Sequence, residues 1–340
     1  MSLSQIFLSL HLGMILDVAR HKFYEGLLLL LLFASAATVV VGLSYAFTEP
    51  APVESLPLLG SLVQSFAAQH PLIATLLVLP LLVASALRLS RVTVRVSLYP
   101  QGTLAAVALA AITLFATIPA DGFAVLLVVA LLVANAIGRL LYCFGPNLRM
   151  HQLFTAMLAL GTLPLIDGTL CILSAIFVLL TIILRGTLRE ISIILVAVST
   201  PLFVCCYLVW LTGGDFLGPV AEVRTSLLAA SLDDVVGYLT LPRLIFVGTL
   251  LFLQLSSTML YFNNRVSLSG SVRNIWFLLQ LSLLVILGAI LGLGIASPAL
   301  ILALALVVLP MIPMFFVCSG QLTSVIIFLF YIATALVAVA

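Results

Sequence analysis

Two carboxylates sit in matching contexts. Asp121 follows Ile118-Pro119-Ala120 and precedes Gly122, and Asp167 follows Leu163-Pro164-Leu165-Ile166 and precedes Gly168. An apolar run follows each acid, and an arginine (Arg139 or Arg185) closes it at the same distance past the aspartate. Two carboxylates held near each other can act as a general base or hold a divalent cation. The pattern also has a purely conformational reading. Asp-Gly is a favoured turn pair, because glycine takes positive φ and the aspartate bonds its own backbone.

Other polar groups cluster in two longer loops, 48–71 and 212–242. Glu49 and Glu54 in the first loop join the two aspartates as candidate catalytic acids. His70, Asp215, Arg224 and Arg243 are candidate substrate-binding groups, since a guanidinium pairs well with phosphate or carboxylate. Pairing of the two arginines with neighbouring acids such as Glu222, or with lipid headgroups, is the alternative. A third set is basic: Arg88, Arg91 and Arg95, with Arg139, Arg149, Arg185 and Arg189. Such a collar could grip a lipid phosphate or pyrophosphate, or simply meet anionic headgroups and fix topology.

Several chemistries are excluded. No metal-ligand spacing is present, and the five cysteines lie in or beside apolar runs, where they pack as small apolar residues. No nucleophile elbow or phosphate-binding loop occurs. No cofactor is expected, and nothing in the chain suits nucleic acid.

The elements that must carry these groups are membrane helices. The 340 residues are 64% hydrophobic and 7% charged, against roughly 25% charged in soluble domains. Apolar runs long enough to cross a ~30 Å hydrocarbon core recur along the chain. Backbone groups in lipid must be satisfied within the segment, so the spans are helices, and the unbroken Leu/Val/Ala/Ile runs exclude a barrel. The expected fold is an all-α polytopic transmembrane bundle of about eleven spans. Residues 1–25 read as an interfacial amphipathic helix and 26–340 as the bundle, with repeated hairpins over 103–189. A kink is expected at Pro201, and a kink or break at Pro310 and Pro313. Gly288 and Gly292 form a small-residue face suited to close helix contact.

Charge sets the orientation. With the N-terminus cytoplasmic, Arg20, Lys22 and the whole basic collar fall inside, together with Arg265 and Arg273. Only Arg224 and Arg243 fall outside, with the acids Glu49, Glu54, Asp121, Asp167, Asp215, Glu222, Asp233 and Asp234. This is the positive-inside pattern, and it implies a bacterial inner-membrane protein. Trp276, Tyr142 and Tyr261 are expected at the inner interface. No charged residue falls at the centre of a span, which argues against an ion-coupled pump.

From Asp121 through Gly214 the short Pro-containing turns, the basic turns Gly138-Arg139-Leu140-Leu141 and Arg185 to Glu190, and the helix with Thr200-Pro201 resemble an uncharacterised multipass inner-membrane family of Bacteroidota. More loosely, the layout is similar to multipass lipid-linked-sugar glycosyltransferases and O-antigen polymerases. That resemblance implies handling of a polyprenyl-phosphate-linked glycan or lipid at the outer leaflet, in envelope biogenesis, with Glu49, Glu54 and Asp121 as candidate carboxylates. A transporter or flippase, and a non-catalytic subunit bound to other membrane subunits, are the alternatives. Membrane lipids are partners in every case.

Overall fold

The computed structural model of the chain describes residues 23–47, 56–99, 105–118, 123–144, 150–230, 239–264 and 268–339. The interfacial helix expected over 1–25 lies almost wholly outside them, and Phe23 already opens the first long helix.

The described residues form helices and turns with no strand. In chain order the helices are α1 (Phe23–Phe47), α2 (Leu58–Gln69), α3 (Pro71–Arg95), α4 (Ala105–Thr117), α5 (Phe123–Cys143), α6 (Met150–Thr162) and α7 (Cys171–Arg185). Then come α8 (Leu188–Leu211), α9 (Gly218–Ala229), α10 (Leu241–Asn264), α11 (Gly270–Gly292), α12 (Pro298–Val308), α13 (Pro313–Cys318) and α14 (Gln321–Val339). Among the described residues eight segments are long and apolar enough to cross a membrane, and α1 (over Leu27–Leu43) and α4 are shorter apolar helices. Large side chains such as Leu72, Leu188, Phe203 and Leu291 are exposed along these helices. Water would not tolerate that many, whereas lipid does. The chain is an all-α integral membrane bundle, as its composition predicts.

The centre of the bundle is built from its least polar helices. Every residue of α4 is buried, and so is every residue of α12 after Pro298. In α4 the alanine-rich sequence lets neighbours close in. Its two hydroxyls are served: Thr113 and Thr117 donate to the carbonyls of Leu109 and Thr113, and Thr113 also meets the Tyr331 hydroxyl at 2.6 Å. Pro310 and Pro313 break the buried α12–α13 pass, as expected from the lost N–H groups. Two neighbours bond carbonyls within the break. The Tyr99 hydroxyl donates to Pro310 O at 2.7 Å, and Ser257 Oγ donates to Ile312 O at 3.2 Å. An interrupted helix survives in lipid only where such partners exist. At Pro201, by contrast, α8 runs on as one helix.

Two expectations change. A Cβ at Gly288 or Gly292 would meet nothing within 4 Å, so no helix of the described chain packs on that face. Trp276 turns inward, away from lipid. It is fully buried and stacks on Tyr261, with ring centroids 4.4 Å apart.

One packing arrangement positions the site. The wholly buried α4 stands against α1, α3 and α14, which leaves α3 beside α5 although the two are not consecutive. On its other side α5 packs on α6, and α2 rests on α5 close to the turn at Leu163–Leu165.

Candidate functional site: a groove with an arginine end

The acid-rich end holds most of the residues singled out from sequence, and there Asp167 serves the fold. Asp167 is buried and extended, and it caps a short helical turn. Its Oδ1 accepts from Thr169 N at 2.9 Å and from Thr169 Oγ1 at 2.6 Å. Thr169 Oγ1 then meets Ser297 Oγ at 2.6 Å, and Ser297 caps α12. Gly168 is not in a positive-φ conformation. It is needed because α9 crosses against it: a Cβ would lie 2.6 Å from Val223 O.

The other candidates at this end are dispersed. Arg243 Nε donates to Ala338 O at 3.3 Å, which places a cation at the C-terminal end of α14. Asp215 is exposed, and its Oδ1 accepts weakly from Leu217 N at 3.4 Å. Arg224 and Glu222 are both exposed on α9 with no ion pair between them, as expected for helical residues two apart. His70 is exposed at the α2–α3 junction, edge-on to Phe66. Glu49, Glu54, Asp121, Asp233 and Asp234 lie outside the described residues. Whether Asp121 approaches Asp167 therefore lies outside them too. Among the described residues no group of His, Cys, Asp and Glu could hold a metal ion.

The opposite end is different. A cavity of about 350 Å³ opens there, lined by Arg88 and Arg91 of α3, Ala134, Asn135, Gly138, Arg139 and Tyr142 of α5, and Gln152 of α6. Local helix geometry collects these groups. Arg88 and Arg91 are three apart, while Asn135, Arg139 and Tyr142 follow a four-then-three spacing, so each set lies on one helix face. Arg139 is half-buried and held by neutral acceptors only. Its Nε donates to Asn135 Oδ1 at 3.0 Å, and its Nη1 donates to Thr155 Oγ1 at 2.8 Å and Gln152 Oε1 at 3.3 Å. These contacts fix the guanidinium without neutralising it, and some of its five N–H donors stay free. Arg88 and Arg91 are exposed, and among the described residues no carboxylate pairs with them. Among the described residues, three positive charges thus line one cavity and no acid does.

A second cavity, about 460 Å³, lies further along the same helix faces. Ala74, Leu77 and Leu81 of α3 and Ala124, Leu127, Val128 and Leu132 of α5 form its walls. Leu59, Leu62, Val63, Phe66 and Ala67 of α2 close its far end, beside Thr162 and Ile166. On α5 the last apolar residue, Leu132, is three positions from Asn135. From Ala74 to Arg91 the groove follows about 25 Å of α3, close to the hydrocarbon thickness of a bilayer.

The arginines were visible in the sequence as a collar of equivalents. The structure separates them. Arg185 pairs with Glu190 at 3.6 Å, whereas Arg88, Arg91 and Arg139 share a cavity. The apolar cavity had no signal in the sequence, because its lining looks like any lipid-facing run. No protein-family model matches the chain, and no curated protein or solved structure matches it either.

Proposed function

We propose that this membrane protein holds an anionic lipid, with its charged head on Arg88, Arg91 and Arg139 and its hydrocarbon chain along α3 and α5. One observation carries the reading: a cavity whose described lining holds three arginines and no acid, and an almost wholly apolar cavity, follow one another on the same helix faces. Guanidinium groups suit phosphate, and the apolar walls suit a chain. The positive-inside pattern puts the arginine end at the cytoplasmic face of a bacterial inner membrane, with the N-terminus cytoplasmic. The lipid head then sits in the inner leaflet. A polyprenyl-phosphate-linked molecule of envelope biogenesis remains a suitable occupant, held from the arginine side rather than from the outer acids.

Holding is favoured over flipping through this groove. Among the described residues the only side chain with a hydrogen-bonding group in the lining of the apolar cavity is Thr162, and a charged head gains nothing there to offset its desolvation.

Ala124→Phe tests the reading by filling the apolar cavity. A long-chain phosphatidic acid should bind the purified variant about tenfold more weakly, while a short-chain analogue with the same head should bind it as it binds the wild type. Equal losses for both lipids, or none, would contradict a groove that takes the chain.

A further inference from the structure

The cavity's charge constrains the head it receives. Among the described residues three guanidinium groups line it, and no Asp or Glu does. Glu190, the buried acid at this end, is engaged by Arg185 and by the Thr187 hydroxyl. Arg139 is locked in place by Asn135, Gln152 and Thr155, so it cannot swing away to find a carboxylate without breaking three hydrogen bonds. A singly charged head would leave two of the three cations uncompensated in a partly enclosed site. A doubly or triply charged head would compensate most of them.

Resting on the lipid reading above, we infer that the site selects lipids whose head is a phosphomonoester or pyrophosphate over lipids whose head is a phosphodiester. A phosphomonoester carries about −1.5 to −2 at neutral pH, and its second ionisation lies near pH 6. A phosphodiester carries a single charge throughout that range. Discrimination is therefore electrostatic, and it weakens as pH falls and the monoester takes up its second proton. Asn135, Gln152 and Thr155 carry no charge anywhere in this range, but the His151 ring meets Gln152 Nε2 at 3.0 Å.

The test compares phosphatidic acid with phosphatidylglycerol of identical acyl chains, binding the full-length purified protein at about pH 8 and about pH 5. Glycerol 3-phosphate serves as the soluble phosphomonoester. At the higher pH, phosphatidic acid should bind about tenfold tighter, the worth of one extra charge-assisted contact, and the gap should narrow at the lower pH. His151→Gln is carried through the same comparison and should leave the narrowing of the gap unchanged. Arg88→Gln with Arg91→Gln should remove the preference. Both side chains are exposed, and an unchanged melting temperature and a monodisperse elution profile would confirm that the variant folds.

Equal affinities for the two lipids, both lost in the double variant, would overturn the head selection and leave the lipid groove standing. Affinities indifferent to the double variant would overturn both. Glycerol 3-phosphate binding as tightly as phosphatidic acid would overturn the lipid reading and leave a site for a doubly charged soluble phosphate.

Discussion

Arg139 and Arg185 occupy the same position in two copies of one sequence pattern, yet they end in opposite electrostatic states. Arg185 meets the buried Glu190 carboxylate at 3.6 Å and lies over the Phe144 ring, 5.3 Å from its centroid. Thr187 caps α8 and donates to the same glutamate at 2.8 Å. Arg139 has only neutral oxygens around it. The residue five positions after Arg185 is Glu190, and the residue five positions after Arg139 is Phe144. That one difference turns a structural ion pair into an unneutralised cation. The acid-rich and arginine-rich ends of the bundle differ in the same way. Asp167 and Arg243 are engaged by the fold at one end, while Arg88 and Arg91 are left available at the other.

Four variants test whether fold and binding divide along these lines. The largest effect is expected for Gly168→Val at the acid-rich end, where the added side chain meets the α9 backbone. A Cβ alone would lie 2.6 Å from Val223 O, and a loss of about 3 kcal/mol or more should appear as a collapsed yield of folded protein. Arg88→Glu with Arg91→Glu should weaken anionic-lipid binding about 100-fold through like-charge repulsion and leave the melting temperature nearly unchanged. Glu190→Gln should do the reverse. It strips the carboxylate from Arg185 and costs about 1–2 kcal/mol of stability, with lipid affinity retained. Asp167→Ala removes a cap worth about 1 kcal/mol and should also spare binding. A strong binding defect in either acid variant would blur the division.

Much of the fold could be read from the chain, because lipid imposes one rule everywhere. Apolar runs become helices, prolines interrupt them, and hydroxyls bond back to their own turns, as Thr113 does with Leu109. The break at Pro310 and Pro313 follows from the missing N–H groups alone. Helix neighbours could not be read in this way. Nothing in the local sequence says that α4 is swallowed by the core and that α3 thereby meets α5. The groove depends on that pairing, so its two halves were legible only as separate helix faces. Asp167 also misleads at the sequence level. An acid that caps a turn and an acid that acts on a substrate share one signature, and burial under α9 distinguishes them only in three dimensions. Gly168 shows the same ambiguity, since its requirement comes from a close crossing and not from its dihedral angles.

The most direct test is the amount of lipid phosphorus that remains bound per chain after exhaustive detergent exchange, measured on wild type, Arg88→Glu/Arg91→Glu and Glu190→Gln. A groove that holds an anionic lipid predicts about one retained phosphate-headed lipid per chain in the wild type and in Glu190→Gln, and its loss in the double arginine variant. Equal retention in all three proteins, or none in the wild type, would contradict it.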